Sequence, residues 1–125
     1  MRSIQLPLGF EKFSQEELEK AIETFYEKLE DLELKSSVLD GIIMKQIEEL
    51  DALSSKISLV SHVPLKQRLV YQHEKLAAEK NENYLKIQNV KSDIATVLCC
   101  IDELTIALNK FTEAALESVE DEDWR

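Results

Sequence analysis

The sequence predicts an all-α protein, a long antiparallel two-helix hairpin of the coiled-coil type. Three observations carry this. Turn formers are scarce, with 2 Gly and 2 Pro among 125 residues, too few for a fold made of many hairpins. Charged residues make up 32 % and aromatics 6 %, and Leu, Glu, Lys, Ala and Ile dominate, which is the composition of long helices rather than of a compact aromatic core. Apolar residues also recur in steps of three and four along two long stretches, separated by one strong stop.

The first stretch opens on a helix-start signal. Ser14 is placed to cap, Glu17 three residues later completes a capping box, and Phe13 and Leu18 occupy the positions of a hydrophobic staple. The seam then runs Leu18, Ile22, Phe25, Leu29, Leu32, Ser36, Leu39, Ile43, Ile47, Leu50, Leu53, Ile57 and Val60. Carried from Ser14 to Ser61, such a helix measures roughly 70 Å at about 1.5 Å per residue. Its weak point is Ser36–Gly41, which holds a second capping candidate at Ser37 and a glycine. A break near Gly41 would give the alternative architecture, a three-helix up-down-up bundle. The heptad phase passes through unchanged, with Ser36 in the seam, and favours one continuous helix.

Ser61-His62-Val63-Pro64 is the stop. Proline disfavours helix at the residue before it and is accepted in the first turn of the next helix. The second helix is expected from about Pro64 to about Ser118. Its seam reads Leu69, His73, Leu76, Lys80, Asn83, Ile87, Val90, Ile94, Val97, Ile101, Leu104, Leu108, Phe111 and Ala115. The early part is polar at His73, Lys80 and Asn83, and with Ser36 these are the residues expected to set register. A short turn makes the two helices antiparallel neighbours. The chain thus divides into an apolar N-terminal strap (1–13), the helical hairpin (14–118, turning at 61–64) and an acidic C-terminal tail (119–125) that contains Trp124. The strap carries Ile4, Leu6, Leu8, Phe10 and Phe13, broken by Pro7 and Gly9. It either lies on the protein's own helices or docks on a partner.

Charge is unevenly placed. Residues 16–33 hold eight acidic side chains against Lys20 and Lys28, whereas residues 62–92 hold six basic side chains against three acidic ones. A three-helix bundle would bring these segments together, but exposed ion pairs contribute only about 0–1 kcal/mol each, so the heptad phase outweighs them. In the hairpin, the face of Glu16, Glu19, Glu23, Glu27 and Glu30 is left as a candidate acidic surface for a partner. A second candidate is apolar. Val97, Leu98, Ile101, Leu104, Ile106, Leu108 and Phe111 cover more than the single stripe a two-helix seam needs, because Leu98, Ile106 and Ala107 fall outside it. Leaving large apolar side chains in water costs roughly 1.5–3 kcal/mol each, so this face is the expected partner interface.

Catalytic chemistry finds no footing. His62 lies in the turn and His73 in the seam, and neither has a Cys or His at metal-ligand spacing. Cys99 and Cys100 are adjacent, without C-x-x-C spacing or a neighbouring base, and read as reduced thiols. Gly9 and Gly41 are the only glycines, so no Gly-rich phosphate loop exists. The expectation is a non-enzymatic protein with no catalytic residues, cofactor or metal. The net charge of −10 repels nucleic acid and anionic membrane surfaces. No apolar run is long enough to span a membrane, and the N-terminus lacks signal-peptide features, which points to cytoplasm or nucleus.

These readings converge on a coiled-coil scaffold or adaptor subunit of a multiprotein complex, held to other chains by helix–helix packing as a homo- or hetero-oligomer. Chromosome segregation or the cytoskeleton is the best-fitting setting, by analogy of fold alone. The alternative is a small regulatory or chaperone-like protein that engages a basic client through its acidic face.

Overall fold

The computed structural model describes residues 4–123, with side chains for residues 4–114. Helix α1 spans Gln15–Leu59 and helix α2 spans Val63–Asp123, and the two pack against each other as a helical hairpin. Before them, a single 3-10 turn covers Phe10–Lys12. Among the described residues there is no strand.

The start of α1 follows from its cap. The Glu17 backbone N–H donates to Ser14 Oγ at 3.2 Å, and the Ser14 N–H donates to Glu17 Oε1 at 3.3 Å. Two of the helix's orphan donors are thereby satisfied reciprocally. At the staple positions, Leu18 is buried and Phe13 half-buried. The helix ends at Leu59, and Val60, Ser61 and His62 make the turn. His62 serves as the cap of α2: its Nδ1 accepts from the Leu65 N–H at 3.4 Å and its carbonyl from the Lys66 N–H at 2.9 Å. Pro64 falls in the first turn of α2, where a missing N–H costs nothing.

The helix α1 is continuous through Gly41, so the hairpin, not the three-helix bundle, is the fold. The space around Gly41 is open, with nothing within 4 Å of where a Cβ would stand. Gly41→Ala therefore removes only the entropic cost of glycine in a helix and should stabilise by roughly 0.5–1 kcal/mol. A rise of a few degrees in the thermal midpoint checks it, and a fall would mean that the helix interior at Gly41 is not regular. Gly9 is different: its φ of 73° is left-handed, a conformation that glycine adopts without strain, and it lets the strap turn into Phe10–Lys12.

One seam position departs from expectation. The buried and half-buried residues of α1 run Leu39, Ile43, Gln46, Leu50 and Leu53, while Ile47 is exposed. Strict alternation of four and three selects Gln46, although Ile47 is the more apolar neighbour. The helix α2 also runs past Ser118 to Asp123, so the acidic residues placed in a separate tail stand largely on the helix. Trp124 lies outside the described residues, as does the side chain of Ala115.

The hairpin divides into two compact units. The terminal unit comprises the chain up to Leu32 and from Ser92 onward, and the turn unit comprises Glu33–Lys91. The terminal unit holds most of the core: Leu18, Leu29, Leu32, Val97, Cys100, Ile101 and Leu104 are buried. The turn unit buries only Leu50 and Ile87 to that degree. Its seam is instead interrupted by half-buried Ser36, Gln46, His73, Lys80 and Asn83. Asn83 Nδ2 donates to Gln46 Oε1 at 3.2 Å, and His73 Nε2 shares a hydrogen bond of 3.2 Å with Ser54 Oγ. Gln46, Asn83 and His73 are thus partnered within the seam, as burial favours.

Candidate interaction surfaces

The apolar face of 97–111 splits in the terminal unit. Val97, Ile101 and Leu104 are buried within the hairpin itself, and Leu108 is half-buried. Leu98 and Ile106 keep 46 % and 56 % of their surface exposed, and Phe111 is exposed too. The part of the face that remains for a partner is therefore Leu98, Ile106 and Phe111. The strap accounts for some of the breadth. Phe10 and Glu11 line an open cleft of about 250 Å³ together with Glu103, Ile106, Ala107 and Lys110 of α2. Ile4, Leu6, Phe10 and Phe13 of the strap are half-buried, whereas Leu8 points out. Aperiodic apolar residues next to a helix start have thus found cover within their own unit.

Cys100 is buried beside the seam, and Cys99 is exposed. Burial pushes the Cys100 thiol above its ordinary range. Cys99 and Glu103 push it the same way, and Lys28 opposes them. Since the thiolate is the nucleophile, Cys100 should react more slowly than Cys99. Timed alkylation at pH 8 with mass mapping should show Cys99 labelled first, and equal rates would contradict the burial of Cys100.

The predicted acidic surface is fully presented: Glu16, Glu19, Glu23, Glu27 and Glu30 are all exposed. In the turn unit, Leu34, Val38, Leu39 and Val90 line an open groove of about 530 Å³, with Lys35, Lys86 and Asn89 around it. A second hollow of about 300 Å³ lies at Ser54, Ile57, Ser58, Val70, His73 and Glu74. Both are shallow, largely apolar hollows between two helices; the second holds the hydrogen-bonded Ser54 and His73, with Ser58 and Glu74 beside them, open to solvent. Among the described residues, no group of three or more His, Cys, Asp or Glu is placed to hold a metal ion. No helix among them is long and apolar enough to cross a membrane.

No family model, no curated protein and no solved structure matches this chain. Its function therefore has to be read from its own surfaces.

Proposed function

We propose that this protein is a non-enzymatic coiled-coil scaffold or adaptor subunit of a multiprotein complex, joined to other chains by helix–helix packing. The observation that carries this is the balance of its apolar residues. Nine of the described residues are buried apolar ones, while large apolar side chains stay exposed along both helices, among them Tyr26, Leu34, Val38 and Met44 on α1 and Tyr71, Tyr84, Leu98 and Ile106 on α2. Two helices that leave so much apolar surface uncovered gain more by burying it against further helices. A chromosome-segregation or cytoskeletal complex is the setting such hairpins best suit, and cytoplasm or nucleus the place. The exposed glutamates of α1 favour a second reading, a regulatory or chaperone-like binder of a basic client, because a single-sign face steers an oppositely charged partner.

Sizing of the endogenous protein in native extract, followed by quantitative mass spectrometry of the peak, tests the proposal. A scaffold subunit elutes in an assembly, in fixed ratio to its companions. Elution as a free chain of 14.4 kDa would overturn it. Association that dissolves at raised salt while the free chain predominates would favour the regulatory reading.

A further inference from the structure

We propose that the outer flank of α2 in the turn unit is a self-association surface, on which a second copy of this chain packs antiparallel about a two-fold axis at Ala77 and Ala78. The proposal rests on the helix-packing function above and names one partner for it.

The seam of α2 in this unit is Leu69, His73, Leu76, Lys80, Asn83 and Ile87. A strip along the outer flank of α2, half-turned from α1, is formed by the residues one or two places beyond Leu69, Leu76 and Asn83, together with those one place beyond His73, Lys80 and Ile87. They are the pairs Val70-Tyr71, Ala77-Ala78 and Tyr84-Leu85, and the single residues Glu74, Asn81 and Gln88, with Gln67 continuing the last row toward the turn. An exposed strip of a helix normally carries the charge that keeps it in water. Here Glu74 is the only charge on it, in a chain that is 32 % charged. The other charges of α2 between Lys66 and Gln88 stand elsewhere: Arg68, Lys75 and Glu82 on the side opposite α1, Glu79 and Lys86 on the other flank, and Lys66 and Lys80 in the seam. Tyr71 and Leu85 nevertheless expose 66 % and 61 % of their surface, and Val70, Ala78 and Tyr84 are exposed as well.

A second copy fits this face for two reasons. The first is charge. Each chain carries −10, so two copies repel unless they meet where charge is missing. The outward face of α1, with Glu16, Glu23, Glu27 and Glu30 in one unit and Asp40, Glu48 and Asp51 in the other, cannot serve, whereas this face of α2 can. The second is its symmetry. A two-fold contact must be self-complementary, with residue i on j and j on i. Around Ala77-Ala78 the pattern reads the same in both directions. Val70 meets Leu85 of the other copy, Tyr71 meets Tyr84, and Gln67 meets Gln88. Glu74 meets Asn81, whose amide donates to the carboxylate, so the one charge on the face avoids its own image. The two alanines at the centre let the helices cross at about 8–10 Å.

The strip from Gln67 to Gln88 is about 33 Å long at 1.5 Å per residue. At a helix's width it covers a few hundred Å² per copy, less than the standard specific interface, so the contact is a weak one and the dimer is expected to dissociate at micromolar rather than nanomolar concentration.

The test is sedimentation equilibrium of the purified full chain from about 5 to 500 µM, spanning that range of dissociation constants. The wild type should approach twice the 14.4 kDa chain mass at the upper end. Ala78→Glu and Ala78→Lys, both exposed helix positions that accept either residue, should each stay monomeric with unchanged helicity and melting. An equal mixture of the two should dimerise again, because opposite charges then face each other at the axis. Leu85→Glu, away from the axis, should also abolish the dimer. A wild type that stays monomeric throughout overturns the inference. So does a dimer indifferent to Ala78→Glu and Leu85→Glu, or a charge-swap mixture that fails to associate. None of these outcomes touches the proposed function, which falls only if the endogenous chain is free in native extract.

Discussion

Aspartate in place of Ile101 should unfold the hairpin. Ile101 is buried in the terminal unit beside Val97 and Leu104, which have no solvent exposure at all. Removing its side chain forfeits about 1.5–3 kcal/mol of burial, and the cavity left behind adds to that. The carboxylate placed there meets an apolar surround, since among the described residues no polar or charged side chain is buried in this core. A loss above about 4 kcal/mol is expected, against the 5–15 kcal/mol that holds a typical domain. Circular dichroism should show the helical signal lost or the thermal midpoint lowered beyond the reach of a surface change. Ile106→Asp is the control. Ile106 is exposed at the rim of the cleft it shares with Phe10, so this variant should melt within about 1 kcal/mol of wild type and keep its helicity. Equal effects of the two would mean that the α2 seam has been placed on the wrong face.

Most of this fold is legible in the sequence because its signals are local and periodic. The Ser14–Glu17 box and the stop before Pro64 act within one turn of helix, and the structure places both within two residues of expectation. The α2 seam follows from spacing alone, from Leu69 to Leu108. Where neighbouring residues compete, spacing and hydrophobicity part company. Ile47 looks like the better core residue, but the alternation of four and three that keeps two helices in contact puts Gln46 inward. The breadth of the apolar face at 97–111 was legible, but not its division. Leu98 and Ile106 stay exposed, while Cys100, outside the seam, is buried. That division depends on what lies beside α2, and the neighbouring strap has no period from which its path could be read. The charge-poor flank of α2 becomes visible only once the seam phase is settled, because it is defined by which residues lie beside the seam.

The polar pair that displaced Ile47 makes a second prediction of large effect. Asn83 and Gln46 share one hydrogen bond across the turn unit's seam, where an ordinary coiled coil would place two leucines. A side-chain hydrogen bond contributes about 0.5–1.5 kcal/mol net, because both amides are also satisfied by water when the chain is unfolded. Two half-buried leucines would gain more than that from burial, at roughly 25 cal/mol per Å² of apolar area. The double variant Gln46→Leu/Asn83→Leu should therefore be more stable than wild type by about 1–3 kcal/mol, a rise on the order of 5–10 °C in the thermal midpoint. Asn83→Leu alone should gain much less, since it strands the Gln46 amide against an apolar neighbour. The pair has a use that stability does not measure. A hydrogen bond between two particular residues is satisfied in one alignment of the helices, whereas leucine accepts leucine one heptad away as readily. In the turn unit, where only Leu50 and Ile87 are deeply buried, apolar packing offers little else to hold the alignment. The double variant should consequently melt higher but less cooperatively, with slipped pairings detectable as extra species in chemical cross-linking between the helices. A double variant less stable than wild type would show that Gln46 and Asn83 hold the seam by more than alignment.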